Sequence, residues 1–236
     1  MSDWFLWHRS YADPDSELSL KLVGMHRFVQ GVLDDAPEGR VAIVDICGGQ
    51  GHAVIPVLAA HPRTADITAI IVELAADNVA AARAEAVRAG LTGVVVVQAD
   101  AGLSDSYAGL DRADFVILSG VVRHMTARDA RRFVRALPQI CAADARVLWT
   151  RREDATARRI RSWFEAAGFR EIDADHGPGI RSFNLARMEC EPEPLRAGVR
   201  WFTFRPYGIR WPRLQRARER AARGVARLTP RRRSHP

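Results

Sequence analysis

Lysine is nearly absent from this chain of 236 residues: one lysine stands against 34 arginines. The ratio points to a GC-rich coding bias, so a single arginine carries less functional weight than usual. Cysteine is scarce as well. Cys47, Cys141 and Cys190 are widely spaced, with no Cys-x-x-Cys and no Cys/His ligand spacing. That excludes a disulfide framework and predicts no metal site. No apolar run approaches the ~18 residues that a membrane span needs. The start, Met1-Ser2-Asp3-Trp4, has no basic stretch leading into an apolar one. A secretory signal is therefore not expected, and a cytoplasmic protein is. With 47% apolar residues, wholesale disorder is not expected either.

Charge is unevenly placed. Residues 205–236 hold 11 arginines and one acid, Glu219, a net +10. Residues 1–204 hold 24 bases and 27 acids, a net −3. The formal +7 thus belongs to a tail, and a body that coats nucleic acid all over is not expected.

Three parts are expected: an aromatic and helical cap over 1–39, a domain over 40–204 and an Arg-rich tail over 205–236. In the cap, Trp4, Phe5, Trp7, His8 and Tyr11 precede a helix capped by Asp15 or Ser16, with Leu18, Leu22, Met25, Phe28, Val29, Val32 and Leu33 at helical spacing. From Arg40, strands alternate with helices. Strands are predicted at 41–45, 67–73, 94–97, 115–118 and 146–150, and helices at 52–60, 77–89, 127–137 and 156–167. Two further strands, 171–174 and 183–188, have only a short loop between them, which suits a hairpin. The pattern predicts an α/β fold: a Rossmann-like seven-stranded sheet, mostly parallel, with an antiparallel last strand and helices on both faces.

The most informative stretch is Val44-Asp45-Ile46-Cys47-Gly48-Gly49-Gln50-Gly51-His52, between a strand and a helix. Open α/β sheets bind ligands at such strand ends. The dinucleotide fingerprint fails because its third glycine position is Val54. A P-loop fails because His52-Ala53 follows Gly51. What remains is an acid, a glycine cluster and further acids at later strand ends. Glu73 could accept from both hydroxyls of a ribose, Asp100 from an adenine amino group, and Asp45 could meet a cationic amino-acid moiety. No arginine or lysine stands in the loop, as expected for a nucleoside without phosphates.

Asp45-Ile-Cys-Gly-Gly-Gln-Gly51, Val72-Glu73-Leu74 and Gln98-Ala99-Asp100-Ala101 resemble successive motifs of class I S-adenosylmethionine-dependent methyltransferases. The usual first motif places three glycines at alternate positions, here Cys47, Gly49 and Gly51, so Cys47 is a departure. The strand pattern extends the resemblance over roughly residues 40–190. Tyr11-Ala-Asp13-Pro14-Asp-Ser16-Glu-Leu18-Ser19 is also similar to the opening of small uncharacterised actinobacterial methyltransferases. The resemblance implies S-adenosylmethionine as cofactor, held by Asp45, Cys47, Gly48, Gly49, Gly51, Glu73, Leu74, Asp100, Ala101 and Ser119.

The segment after the fourth strand, Ser119-Gly120-Val121-Val122-Arg123-His124-Met125, should face the reacting centre. His124 is the candidate general base, and Arg123, Trp7 and Tyr11 are candidate contacts to the acceptor. The N-terminal aromatics either lid the acceptor or pack the first helix onto the sheet. No Asn/Asp-Pro-Pro-aromatic tetrad is present, which argues against methylation of a base amine. The expected activity is O- or N-methylation of a small, partly aromatic metabolite, of the kind met in secondary metabolism. The tail leaves two other readings open: an RNA-directed methyltransferase anchored by a basic amphipathic helix from Arg213, and a non-catalytic cofactor-binding protein. Through the tail, a nucleic acid or an anionic surface is a candidate partner.

Overall fold

A computed structural model describes residues 11, 13, 15–175 and 182–204. The chain divides into a unit Met1–Arg205 and a unit Pro206–Pro236. All described residues lie in the first. Trp7, the other aromatics before Tyr11, the hairpin tip and the basic tail lie outside them.

The first described helix is α1, Glu17–Asp34. Ser16 caps it, its Oγ accepting from the Ser19 N–H at 3.1 Å. Alternation follows as β1 (Val41–Ile46), α2 (Ile55–Ala60), β2 (Ile67–Glu73), α3 (Ala76–Arg88), β3 (Val94–Gln98), β4 (Ala113–Leu118), α4 (Ala127–Ala136), β5 (Cys141–Arg151), α5 (Ala155–Ala166), β6 (Phe169–Asp175) and β7 (Ser182–Met188). The sheet order is β3-β2-β1-β4-β5-β7-β6. The run from β3 through β5 is parallel, and β7 is antiparallel to both its neighbours. The antiparallel strand is therefore the last in sequence, as expected, but it is inserted between β5 and β6 rather than forming the edge.

Local chemistry explains the elements. Val41-Ala-Ile-Val-Asp-Ile and Ile67-Thr-Ala-Ile-Ile-Val-Glu are buried along most of their length, because helices cover both faces of a parallel sheet. Helix α2 starts at Ile55, with Pro56 in its first turn, rather than at His52, since the glycine loop still turns through 51–54. Strand β5 begins at Cys141, five residues before the apolar run that announced it, because Cys141 pairs with Ala113. Thr126 caps α4 and Asp154 caps α5, accepting from the N–H groups of Asp129 and of Thr156 and Ala157.

One core cluster joins α1 to the sheet: Met25, Phe28, Val29, Val32 and Leu33 pack with Ile43, Ile71, Phe115, Ile117 and Phe183. Phe28 stacks on Phe183 at 5.4 Å. The other face of the sheet carries the second cluster, reached by a segment that returns across the molecule after β7. In that segment the Trp201 N–H donates to Gly102 O at 2.8 Å, and the Trp201 ring stacks on Tyr107 at 5.1 Å. Phe202 meets Phe133 edge-on at 4.8 Å. The chain order reverses between β1 and β4, which neighbour each other in the sheet, and the carboxyl ends of such strands open a crevice.

Candidate active site

That crevice is a cavity of about 270 Å³. The acids come from three successive strand ends: Asp45 from β1, Glu73 from β2 and Asp100 just after β3. Cys47, Gly48, Gly49, Leu74, Ala101, Ser119, Arg123, His124 and Tyr11 line the same cavity. Gly51 does not. It sits at φ +77°, and a Cβ there would clash with Ile55 Cδ1, so it shapes the turn from behind.

The loop geometry follows from three left-handed residues at alternate positions, Cys47 (φ 56°), Gly49 (φ 61°) and Gly51 (φ 77°). Glycine adopts that region freely, whereas Cys47 does so at a cost of roughly 1–2 kcal/mol. Gly48 is required for a different reason: a Cβ would lie 2.5 Å from Asp45 Oδ2 and 2.8 Å from an Ile71 methyl. Burial, with the charge of Glu73 next, pushes the Cys47 thiol well above its usual range, so it is no nucleophile.

Glu73 is buried and fixed. The Gly49 N–H donates to Oε2 at 3.0 Å and the Ala75 N–H to Oε1 at 2.8 Å. Each oxygen keeps further acceptor capacity toward the cavity. Asp100 is more committed than expected. Its Oδ1 accepts from the Gly102 N–H at 2.9 Å, and its Oδ2 pairs with Arg200 at 3.0 Å, a residue of the returning segment.

Asp45 is the least satisfied group. It is wholly buried, and neither carboxylate oxygen has a hydrogen-bond partner among the described residues. Burial pushes its pKa up to about 7; the positive charge of Lys21 opposes the rise and Glu73 adds to it. Lys21, the chain's one lysine, lies on the buried face of α1 and donates to Ser119 Oγ at 2.6 Å.

The remaining wall is apolar and aromatic: Leu22, Met25, Val121, Phe202 and Phe204, with the Phe204 ring edge-on to His124 at 5.8 Å. Tyr11 lies against His52 at 4.6 Å, and burial lowers the His52 pKa, helped by His26. Sequence reasoning missed Lys21, His52, Asn78, Phe202 and Phe204 as cavity residues. The signal for Lys21 was its uniqueness. The phenylalanines gave only the apolar run Val199–Phe204. Among the described residues no group of His, Cys, Asp and Glu could hold a metal, and no helix is long and apolar enough to cross a membrane.

No family model matches the chain, and neither does any curated protein. Solved structures do. An O-methyltransferase family protein from Burkholderia thailandensis is 18% identical at a TM-score of 0.59, over 75% of this chain and 56% of that one. This chain thus spans little more than half of that protein. Magnesium protoporphyrin IX methyltransferase from Synechocystis PCC 6803, solved with bound SAH, is 15% identical at a TM-score of 0.60, over 77% and 92%. A SAM-dependent methyltransferase from Aquifex aeolicus is 12% identical at a TM-score of 0.57, over 76% and 97%. At these identities the likeness establishes a shared fold, the Rossmann-like sheet of methyltransferases.

Proposed function

We propose that the chain is a methyltransferase that uses S-adenosylmethionine and acts on the O or N of a small, partly aromatic acceptor. The observation that carries the reading is Asp45: a wholly buried carboxyl without a hydrogen-bond partner among the described residues, facing a cavity that two other strand-end acids line. A buried polar group left unpaired is costly, so such a group implies a ligand that supplies donors. The donor set fits this cofactor. Glu73 offers acceptor oxygens to ribose hydroxyls. Asp45 and Lys21 bring opposite charges to one cavity, the complement of an α-amino acid that carries both an ammonium and a carboxylate. Asp100 keeps acceptor capacity for an adenine amino group, now with Arg200 orienting it. When bound, the cofactor supplies an electrophilic methyl group on a sulfonium.

The chain's own task is then to seat the acceptor, keep water out and take a proton. Phe202, Phe204, Val121 and Leu22 supply an apolar seat for a ring. His124 stands beside that seat and is the proposed base; Arg123, on the same cavity wall, is the proposed polar contact. These features support a small acceptor over a macromolecular one.

Thermal unfolding with S-adenosylhomocysteine tests the reading. Ligand that binds only the folded state adds ~2.7 kcal/mol of stability at a hundredfold excess over Kd and so raises the midpoint. The rise is expected in the wild type and is expected to shrink in Glu73→Ala. An unmoved midpoint at ligand near ~1 mM would sink the proposal.

A further inference from the structure

We propose that the outer face of α4 and α5 is a docking surface for a nucleic acid, gripped through its phosphates. The ten residues of α4 carry four arginines and one acid, although residues 1–204 as a whole are net negative. Arg128, Arg131, Arg132 and Arg135 are all exposed. With Arg159 and Trp163 of the neighbouring α5 they line a shallow groove between the two helices.

Their engagement is uneven. Arg132 is anchored: its Nε donates to Trp201 O at 2.7 Å and its Nη2 to Asp129. Among the described residues, no carboxylate pairs with Arg128, Arg131, Arg135 or Arg159. Arg159 lies over the Trp163 ring at 5.7 Å. Four guanidiniums without a carboxylate partner among the described residues therefore line one groove, a concentration of positive charge that favours an anion.

The spacing and the surroundings select the partner. Arg128, Arg131 and Arg135 follow the i, i+3, i+7 pattern of one helix face and span about 10 Å along the axis, a reach suited to successive phosphates. A lipid surface needs apolar side chains that enter the acyl region. The large exposed hydrophobics, Leu20, Val23, Leu74, Val87, Val95, Ile172 and Val199, all lie outside this groove. A protein partner needs a desolvated apolar centre, and the groove's one aromatic, Trp163, is roofed by Arg159. A phosphate backbone needs neither, since it binds by releasing counterions to guanidiniums. None of the groove's residues lines the cavity.

The test is fluorescence anisotropy of the full chain with a labelled oligouridylate longer than the ~4–16 nucleotides a single groove covers, from ~50 to ~200 mM salt. The comparison variant combines Arg128→Ala, Arg131→Ala, Arg135→Ala and Arg159→Ala. Alanine keeps the helices, which circular dichroism checks. Binding is expected to weaken at least tenfold at the lower salt, and the salt slope to shrink by about 3, at ~0.7 per lost contact. The matching lysine variant is expected to retain most of the slope. No wild-type binding at ~50 mM salt, or equal affinity and slope in the alanine variant, would overturn the proposal. So would polyglutamate or phosphatidylserine vesicles binding more tightly than the oligonucleotide and losing that binding in the variant.

Discussion

The Lys21 ammonium lies 2.6 Å from Ser119 Oγ across 98 residues of sequence, and so ties the first helix to the end of the fourth strand. The same charge acts on Asp45. One lysine thus sets the electrostatics of the cavity end assigned to the amino-acid moiety.

Replacing Lys21 with methionine keeps the aliphatic stem and removes the charge. A hydrogen bond to a charged group contributes ~1.5–3 kcal/mol, so S-adenosylhomocysteine should bind roughly 10–100-fold more weakly. 5′-Methylthioadenosine has no amino-acid end, and its affinity should stay within about twofold. Calorimetry with both ligands checks this. An equal loss for both would show a general collapse of the cavity instead.

Asp45 makes binding pH-dependent. Its pKa of about 7 in the folded chain lies above the ordinary 3.8, so below pH 7 the carboxyl is mostly protonated. A ligand ammonium favours the carboxylate and must expel that proton. Affinity for S-adenosylhomocysteine should therefore rise as pH rises toward 7, by at most about tenfold per unit, and then level off. Asp45→Asn should flatten the profile. The effect on stability has the opposite sign. The folded state holds a proton that the unfolded state releases, so the unliganded protein should lose stability as pH rises from 3.8 to about 7. Denaturant melts across that window measure it.

Trp201 holds the returning segment. It is 1% exposed, and its indole Nε1 has no hydrogen-bond partner among the described residues. Trp201→Ala should cost about 3–5 kcal/mol and lower the melting temperature by roughly 10 °C. Trp201→Phe forfeits no hydrogen bond and should cost clearly less, while keeping ligand affinity because Phe202 stays in place. Chemical melts of the two variants measure how the cost scales with the ring volume removed.

Much of this was legible because it is local. Continuous apolar runs that end in acids announced β1 and β2, and the acids fell at the cavity because strand ends do in an open α/β sheet. The alternate positions Cys47, Gly49 and Gly51 are explained by three left-handed residues, which a single sequence registers only as a glycine pattern. Lys21 was hidden because a lysine on an amphipathic helix ordinarily reads as solvated. Its burial depends on Ser119, far away in sequence. Phe202, Phe204 and the Arg200–Asp100 pair depend on the chain crossing back over Gly102, a contact no periodicity encodes. Likewise nothing local places β7 between β5 and β6.

The central claim is that the β1–β4 crevice holds a nucleoside carrying an amino acid. Titration calorimetry with S-adenosylhomocysteine, repeated with excess NAD or ATP, tests it most directly. One site per chain with a Kd below ~100 μM, untouched by either competitor and weakened by Glu73→Ala, is the predicted result. Absence of heat at ~1 mM ligand, or displacement by NAD or ATP, would contradict it.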